Sequence, residues 1–166
     1  MSKARTLSDA VLLKWSAAVR GDILSIGSAD DRDGRGRRYR DYFPHARSYT
    51  TSEVTPGADL VLDVRSMPSI ADGAYDAIFC SGVLEHVDDC HAAVAECYRV
   101  LRPGGLFLVG VPFNQRLHRV PQDFWRFTPY GLQYLLRAFT IETIEAIGDD
   151  PKHPWTYWVR ARKATP

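Results

Sequence analysis

The stretch from Asp76 to Phe113, DAIFCSGVLEHVDDCHAAVAECYRVLRPGGLFLVGVPF, constrains the fold more than any other part of the chain. Ala77–Cys80 is an apolar run, too short for a helix and suited to a buried strand. The chain then turns through Ser81-Gly82 into a loop carrying Glu85 and His86. Asp88 or Asp89 can cap a helix in which Cys90, Ala93, Val94, Cys97 and Leu101 share one face. Pro103-Gly104-Gly105 stops that helix, because proline cannot continue it and glycine tolerates a left-handed exit. Leu106–Val111 is a second run without charge. Two uncharged strands joined by an amphipathic helix predict a right-handed βαβ unit, and strands buried on both faces predict a parallel sheet covered by helices.

Length and charge narrow the class. A chain of 166 residues supports one core and is short for two. A net charge of +1 gives no global field for nucleic acid or an anionic membrane. No stretch reaches the ~18 apolar residues of a membrane span. The apolar run between Lys14 and Arg20 is too short for a signal peptide. On a helix Cys90 and Cys97 stand two turns apart, roughly 10 Å, beyond disulfide reach. With Cys80 they read as reduced thiols, which predicts a cytoplasmic protein.

Other elements follow from local signals. Thr6–Asp9 reads as a capping box, followed by an apolar stripe of Val11, Leu12, Trp15, Ala18 and Val19 and a stop at Gly21. Ile23–Gly27 reads as a first strand and its turn, Arg47–Thr51 as a second and Ala58–Val64 as a third. Asp30–Arg40 is arginine-rich and weakened by Gly34 and Gly36, so a loop with a short helix around Tyr39–Phe43 is expected. Its arginines are either a solvated face or an anion site near the cleft. Thr128-Pro129 opens a helix, Thr140–Ile147 is a sixth strand and Trp155–Ala161 a seventh.

YDAIFCSGVLEHV followed by RVLRPGGLFLVGVPF resembles the region between the fourth and fifth strands of class I S-adenosylmethionine-dependent methyltransferases, nearest to the methyltransferase type 11 group. The similarity runs from about Ile23 to Gly148. It implies an α/β, Rossmann-like fold with a seven-stranded, mostly parallel sheet and helices on both faces. It implies one methyltransferase domain over 1–166: an N-terminal helix to 21, a cofactor-binding part over 22–112, and a substrate loop with a C-terminal hairpin over 113–166. The family's turn after the first strand carries an acidic residue and two glycines; here the matching residues are Ser25, Gly27 and Ala29, with Ser28 between the last two. Glu53, just past the second strand, is placed to accept from both ribose hydroxyls. The resemblance gives Asp63 the adenine amino group and the Val64 N–H the adenine ring. Cys80 and Ser81 end the central strand beside the switch point where such folds bind ligands.

The segment PFNQRLHRVPQDFWRFTPYGL sets His118, Asp123 and Arg126 among aromatic residues. An apolar wall with a few polar groups suits a small-molecule pocket, so Phe113, His118, Trp125, Arg126 and Tyr130 are candidate substrate residues. His118 is a candidate general base oriented by Asp123, and His86 a further catalytic candidate after the central strand. The alternative is an aromatic core with a structural Asp123–Arg126 pair. No CxxC or HxxxH is present and His86 and His91 lack ligand spacing, so no metal is expected. The expected activity is methyl transfer from S-adenosylmethionine to oxygen or nitrogen of a small molecule. The competing class is a non-catalytic or regulatory binding module on the same scaffold, its cofactor turn altered at Ser25 and Ala29. A nicotinamide dehydrogenase fits poorly, because Gly27-Ser28-Ala29 is not G-x-G.

Overall fold

The computed structural model describes residues 3–28, 30–33 and 35–165, with side chains from Thr6 onward. The expectations at Ala29 and Gly34 therefore lie outside the described residues. In chain order the elements are α1 (Lys3–Ser16), β1 (Gly21–Ile26), β2 (Ala46–Glu53), β3 (Leu60–Val61), β4 (Tyr75–Ser81), α2 (Cys90–Val100), β5 (Leu101–Pro112), α3 (Pro129–Leu135), β6 (Phe139–Ile147) and β7 (Thr156–Lys163). Short 3-10 turns lie at Tyr39–Tyr42 and Leu84–His86. The strands form one sheet in the order β3-β2-β1-β4-β5-β7-β6. Pairings from β3 through β5 are parallel, and β7 runs antiparallel to both β5 and β6.

The period of two along the strands divides the core. Ile23, Ala77, Phe79, Leu106, Leu108 and Trp158 face α1, which contributes Val11, Leu12 and Trp15. Leu24, Ile78, Cys80, Phe107 and Val109 face the other way, against α2 and α3. Helices thus cover both faces, and the strand order reverses between β1 and β4, at the switch point where open α/β sheets leave a crevice beyond their carboxyl ends. The α2 cap is Asp89, whose carboxylate accepts from the Ala92 N–H at 2.9 Å. Thr128 caps α3 through the Gly131 N–H at 3.0 Å.

Several boundaries differ from the sequence reading. α1 already includes Lys3, so Thr6–Asp9 lies inside the helix; Asp9 faces Arg35 at 3.5 Å instead of capping. The helix stops at Ser16, which leaves Ala18 exposed, and Gly21 opens β1. β3 shrinks to two residues because the Asp59 carboxylate takes the Thr51 N–H and hydroxyl, both at 2.8 Å, in place of a strand ladder. α2 ends at Val100 and Leu101 is already extended, since the residues leading into Pro103 are biased away from helix.

The arginine-rich segment is organised by its own acids. Asp33 accepts from the Arg35 and Arg37 N–H groups at 2.7 and 3.0 Å and from the Tyr42 hydroxyl at 2.6 Å. Arg37 lies over the Tyr42 ring, and Arg40 meets Asp31 at 3.4 Å and lies near Tyr49. The guanidinium groups of Arg35, Arg37 and Arg40 thus have partners in the protein, at Asp9, the Asp41 carbonyl and Asp31.

Candidate functional site

Two cavities open beyond the carboxyl ends of β1, β2, β4 and β5. The smaller, of 410 Å³, is lined by Glu53, Asp63, Val64, Val83 and Phe124 among others. The larger, of 940 Å³, is lined by Ser28, Ser81, Glu85, Asn114, His118 and Trp155 among others. They share Gly27, Gly82, His86 and Arg119, so one cleft with two lobes crosses the sheet edge. Both volumes fall in the range of small-molecule sites.

Gly27 forms the ridge between the lobes. Its φ is +63°, and a Cβ there would lie 2.4 Å from a Val83 methyl, so only glycine fits without displacing Val83. The turn around it is held by serines. The Ser28 hydroxyl donates to the Ser25 hydroxyl at 2.9 Å and the Ser52 hydroxyl to the Ser25 carbonyl at 2.8 Å, while the Ser28 N–H donates to the Ser52 carbonyl at 3.0 Å. Ser25 is 1% exposed and lines neither cavity; it ties the end of β1 to β2 instead of facing the cleft. Cys80 is likewise sealed in the core below the cleft floor, and burial pushes its thiol pKa well up. Both are penultimate strand residues turned away from the cleft, which is walled by strand-end residues such as Ile26, Glu53 and Ser81 and by the turns after them.

Glu53 and Asp63 share the smaller lobe. The Glu53 carboxylate accepts from the following Val54 N–H at 2.9 Å. Asp63 is bound by Arg65 at 2.6 Å, and Arg65 also reaches Asp88 at 2.6 Å. The Arg65 hydrogen bonds hold the Asp63 carboxyl below its usual range, so it stays ionised.

Residues 113–128 form a strap over the larger lobe. The Phe124 and Trp125 N–H groups donate to the Glu85 carbonyl at 2.8 and 3.3 Å, and the Trp125 indole N–H donates to the Val87 carbonyl at 2.8 Å. Asp123, its side chain 1% exposed, grips Arg126 at 2.7 and 2.9 Å and accepts the His118 backbone N–H at 2.8 Å. The Arg126 bond holds its pKa far below the ordinary value. Asp123 and Arg126 therefore build the strap, and the Asp123 carboxylate is still 3.5 Å from His118 Nδ1. Of the candidate substrate residues only His118 lines a cavity. Phe113 packs edge-on against Tyr157, Trp125 is pinned at the rim, Arg126 is tied to Asp123, and Tyr130 is 79% exposed.

The residue undervalued by sequence reasoning is Glu85. Its side chain is 4% exposed, and its Oε1 lies 3.9 Å from Nε2 of both His86 and His118. Its Oε2 is buried and has no hydrogen-bond partner. Burial pushes its pKa up, and the neighbouring histidines and Arg126 oppose that. Phe124, one of the aromatic residues expected to wall a pocket, lines the smaller lobe, and Arg119 and Gln122 join it unannounced, because only the strap's path brings them there.

Residues 41–109 match the methyltransferase domain family. A probable S-adenosylmethionine-dependent methyltransferase of Mycolicibacterium smegmatis is 35% identical over 79 residues, 48% of this chain and 30% of that protein. The ubiquinone biosynthesis O-methyltransferase of Xanthomonas oryzae is 36% identical over 77 residues, 46% of this chain and 30% of that protein. The chain thus spans less than a third of the length of these curated relatives. Among solved structures, the Burkholderia thailandensis 1,6-didemethyltoxoflavin-N1-methyltransferase superposes with a TM-score of 0.69 at 20% identity, over 97% of this chain and 78% of that one. The cyclase SpnF superposes with a TM-score of 0.72 at 18% identity, over 98% and 81%. These proteins share this chain's fold, a seven-stranded, mostly parallel sheet with helices on both faces.

Proposed function

We propose that this chain, which has the class I S-adenosylmethionine-dependent methyltransferase fold and matches the methyltransferase domain family over residues 41–109, is a single catalytic domain that binds S-adenosylmethionine and methylates oxygen or nitrogen of a small molecule. The observation that carries this reading is the convergence of Glu53, Asp63 and Gly27 on one cavity of 410 Å³. A nucleoside needs such a lobe with acceptors for hydroxyl and amino groups, and two carboxylates supply them. Glu53 would hold the ribose, Asp63 and the Val64 N–H the adenine, and Gly27, Ser28 and Ser81 would line the path towards the larger lobe. The bound cofactor supplies an already activated methyl sulfonium.

The protein's own task is then alignment and exclusion of water. The strap covers the larger lobe, and Glu85, His86 and His118 form its polar end. His118 keeps Nδ1 on the Arg116 carbonyl at 3.0 Å, which leaves Nε2 to take a proton from an acceptor hydroxyl or ammonium. Asp123 positions His118 through its backbone N–H. Three free, buried cysteines support a reducing, cytoplasmic compartment.

Calorimetric titration tests the reading. S-adenosylmethionine and S-adenosylhomocysteine should bind, and Glu53→Ala and Asp63→Ala should each weaken binding about tenfold or more, equivalent to ~1.4 kcal/mol. Absence of heat at millimolar ligand would remove the methyl-transfer assignment. A second reading, a binding module without chemistry, is favoured by Ser25, whose hydroxyl is spent inside the sheet where the family pattern has a carboxylate. Its signature is binding of both ligands with no turnover across a panel of hydroxyl and amine acceptors.

A further inference from the structure

We propose that Glu85, His86 and His118 form a binding site for a first-row divalent cation, with open coordination positions facing the larger lobe. One oxygen of Glu85 and one nitrogen of each histidine lie within 4.8 Å of one another. The hydrogen bonds around them decide what those atoms are. His86 Nδ1 sits on the Gln122 carbonyl, and His118 Nδ1 on the Arg116 carbonyl at 3.0 Å. A carbonyl only accepts, so each Nδ1 carries the hydrogen, and Nε2 is the ring atom left to bind a cation. Both Nε2 atoms face the Glu85 carboxylate from 3.9 Å, too far for a hydrogen bond.

Three potential ligand atoms therefore converge at distances too long for hydrogen bonds to one another. Glu85 is 4% exposed at its side chain, and its second oxygen is buried without a partner. Leaving such groups uncompensated is costly, and a cation resolves all three at once. The outer contacts are those of a ligating histidine, which usually gives its other N–H to a backbone carbonyl or carboxylate that fixes tautomer and ring direction. Asp123, 3.5 Å from His118 Nδ1, adds a carboxylate to that outer layer, and its own charge is matched by Arg126.

With metal–ligand bonds of about 2.0–2.2 Å, tetrahedral ligand atoms stand roughly 3.4 Å apart, so the two Glu85 contacts of 3.9 Å close by about half an ångström and the histidine pair, within 4.8 Å, by up to about 1.4 Å. Two imidazoles and one carboxylate favour zinc, iron, cobalt or nickel over magnesium or calcium, whose ligands are oxygen. Three protein ligands leave positions for a water or a substrate atom, and the larger lobe is where that atom would lie. Sequence spacing does not register the site, because His118 comes from the strap, far along the chain from the Glu85-His86 pair. Resting on the methyl-transfer reading, an acceptor hydroxyl ligated there would release its proton to water more readily, and the cation would take over the task of the His118 base.

The test is titration of the full chain, free of any affinity tag and of added cofactor, with Co²⁺. One equivalent should produce visible ligand-field absorption with a dissociation constant in the micromolar range or below, and Zn²⁺ should bleach it by displacement. Glu85→Gln and His118→Ala should each weaken Co²⁺ binding at least tenfold, whereas His91→Ala, outside the cluster, should leave it unchanged. If either variant fails to fold, the wild type still answers: Zn²⁺ should protect His86 and His118 from diethyl pyrocarbonate, as read by mass spectrometry. No absorption at millimolar Co²⁺, absorption that survives in both variants, or no protection would each overturn the site. A chain that binds Co²⁺ but gives no heat with S-adenosylmethionine keeps the metal site and loses methyl transfer; the reverse result does the opposite.

Discussion

Gly27 shows how much one position can carry. Alanine there would take a left-handed φ, at a cost of roughly 1–2 kcal/mol, and would push Val83 from the ridge. Gly27→Ala should lower the melting temperature by a few degrees, at about 2–4 °C per kcal/mol for a domain of this size. It should also weaken S-adenosylmethionine binding at least tenfold, which calorimetry would read. At the opposite edge of the sheet Asp22 accepts from Arg47 at 2.9 Å and Ser48 at 2.8 Å, with Arg102 3.6 Å away. The Arg47 hydrogen bond, then Ser48, holds its pKa far below the ordinary 3.8. A depressed pKa contributes stability that is fully present above the unfolded value and is lost as pH falls towards the folded one. Acid unfolding should therefore steepen below about pH 4, and Asp22→Asn should flatten that slope in pH-dependent thermal melts. Added salt should shrink the difference, since the cluster lies at the surface.

At the scale of elements, α2 offers the cleanest check. Asp89→Ala removes its N-cap and should cost about 1 kcal/mol in denaturant unfolding, with no change in the cleft. The β4–α2–β5 unit was legible because uncharged runs, a capping aspartate and a proline stop all agree over a short span. Glu53 and Asp63 were placed at the cleft for a related reason: Glu53 ends β2 and Asp63 lies just past β3, where topology brings both to the carboxyl edge. Ser25 and Cys80 were misplaced because a pattern aligned along the sequence does not say which side of the floor a strand residue occupies. The strap was harder still. Its aromatic residues looked like a pocket wall, yet of them only Phe124 lines the cleft while Trp125 is tied to the Val87 carbonyl, and Asp123 and Arg126 bond to each other. Pairing His118 with Glu85 needs the path of an irregular segment, which no local signal encodes.

Across the whole molecule, one sheet separates two apolar layers, and all three cysteines belong to the layer beneath α2 and α3. Burial pushes the Cys90 and Cys97 thiols up to about 12, so little thiolate is present at neutral pH. The native protein should react with Ellman's reagent only at the rate of global unfolding, and the denatured chain should release three equivalents; fast labelling of a folded sample would show that this layer opens locally. The peptide group of residue 85 joins the layers of the design. Its carbonyl clasps the strap at Phe124 and Trp125 while its carboxylate faces the interior. One residue thus moors the strap with its backbone and lines the chamber beneath with its side chain, a single pin shared by cover and cavity.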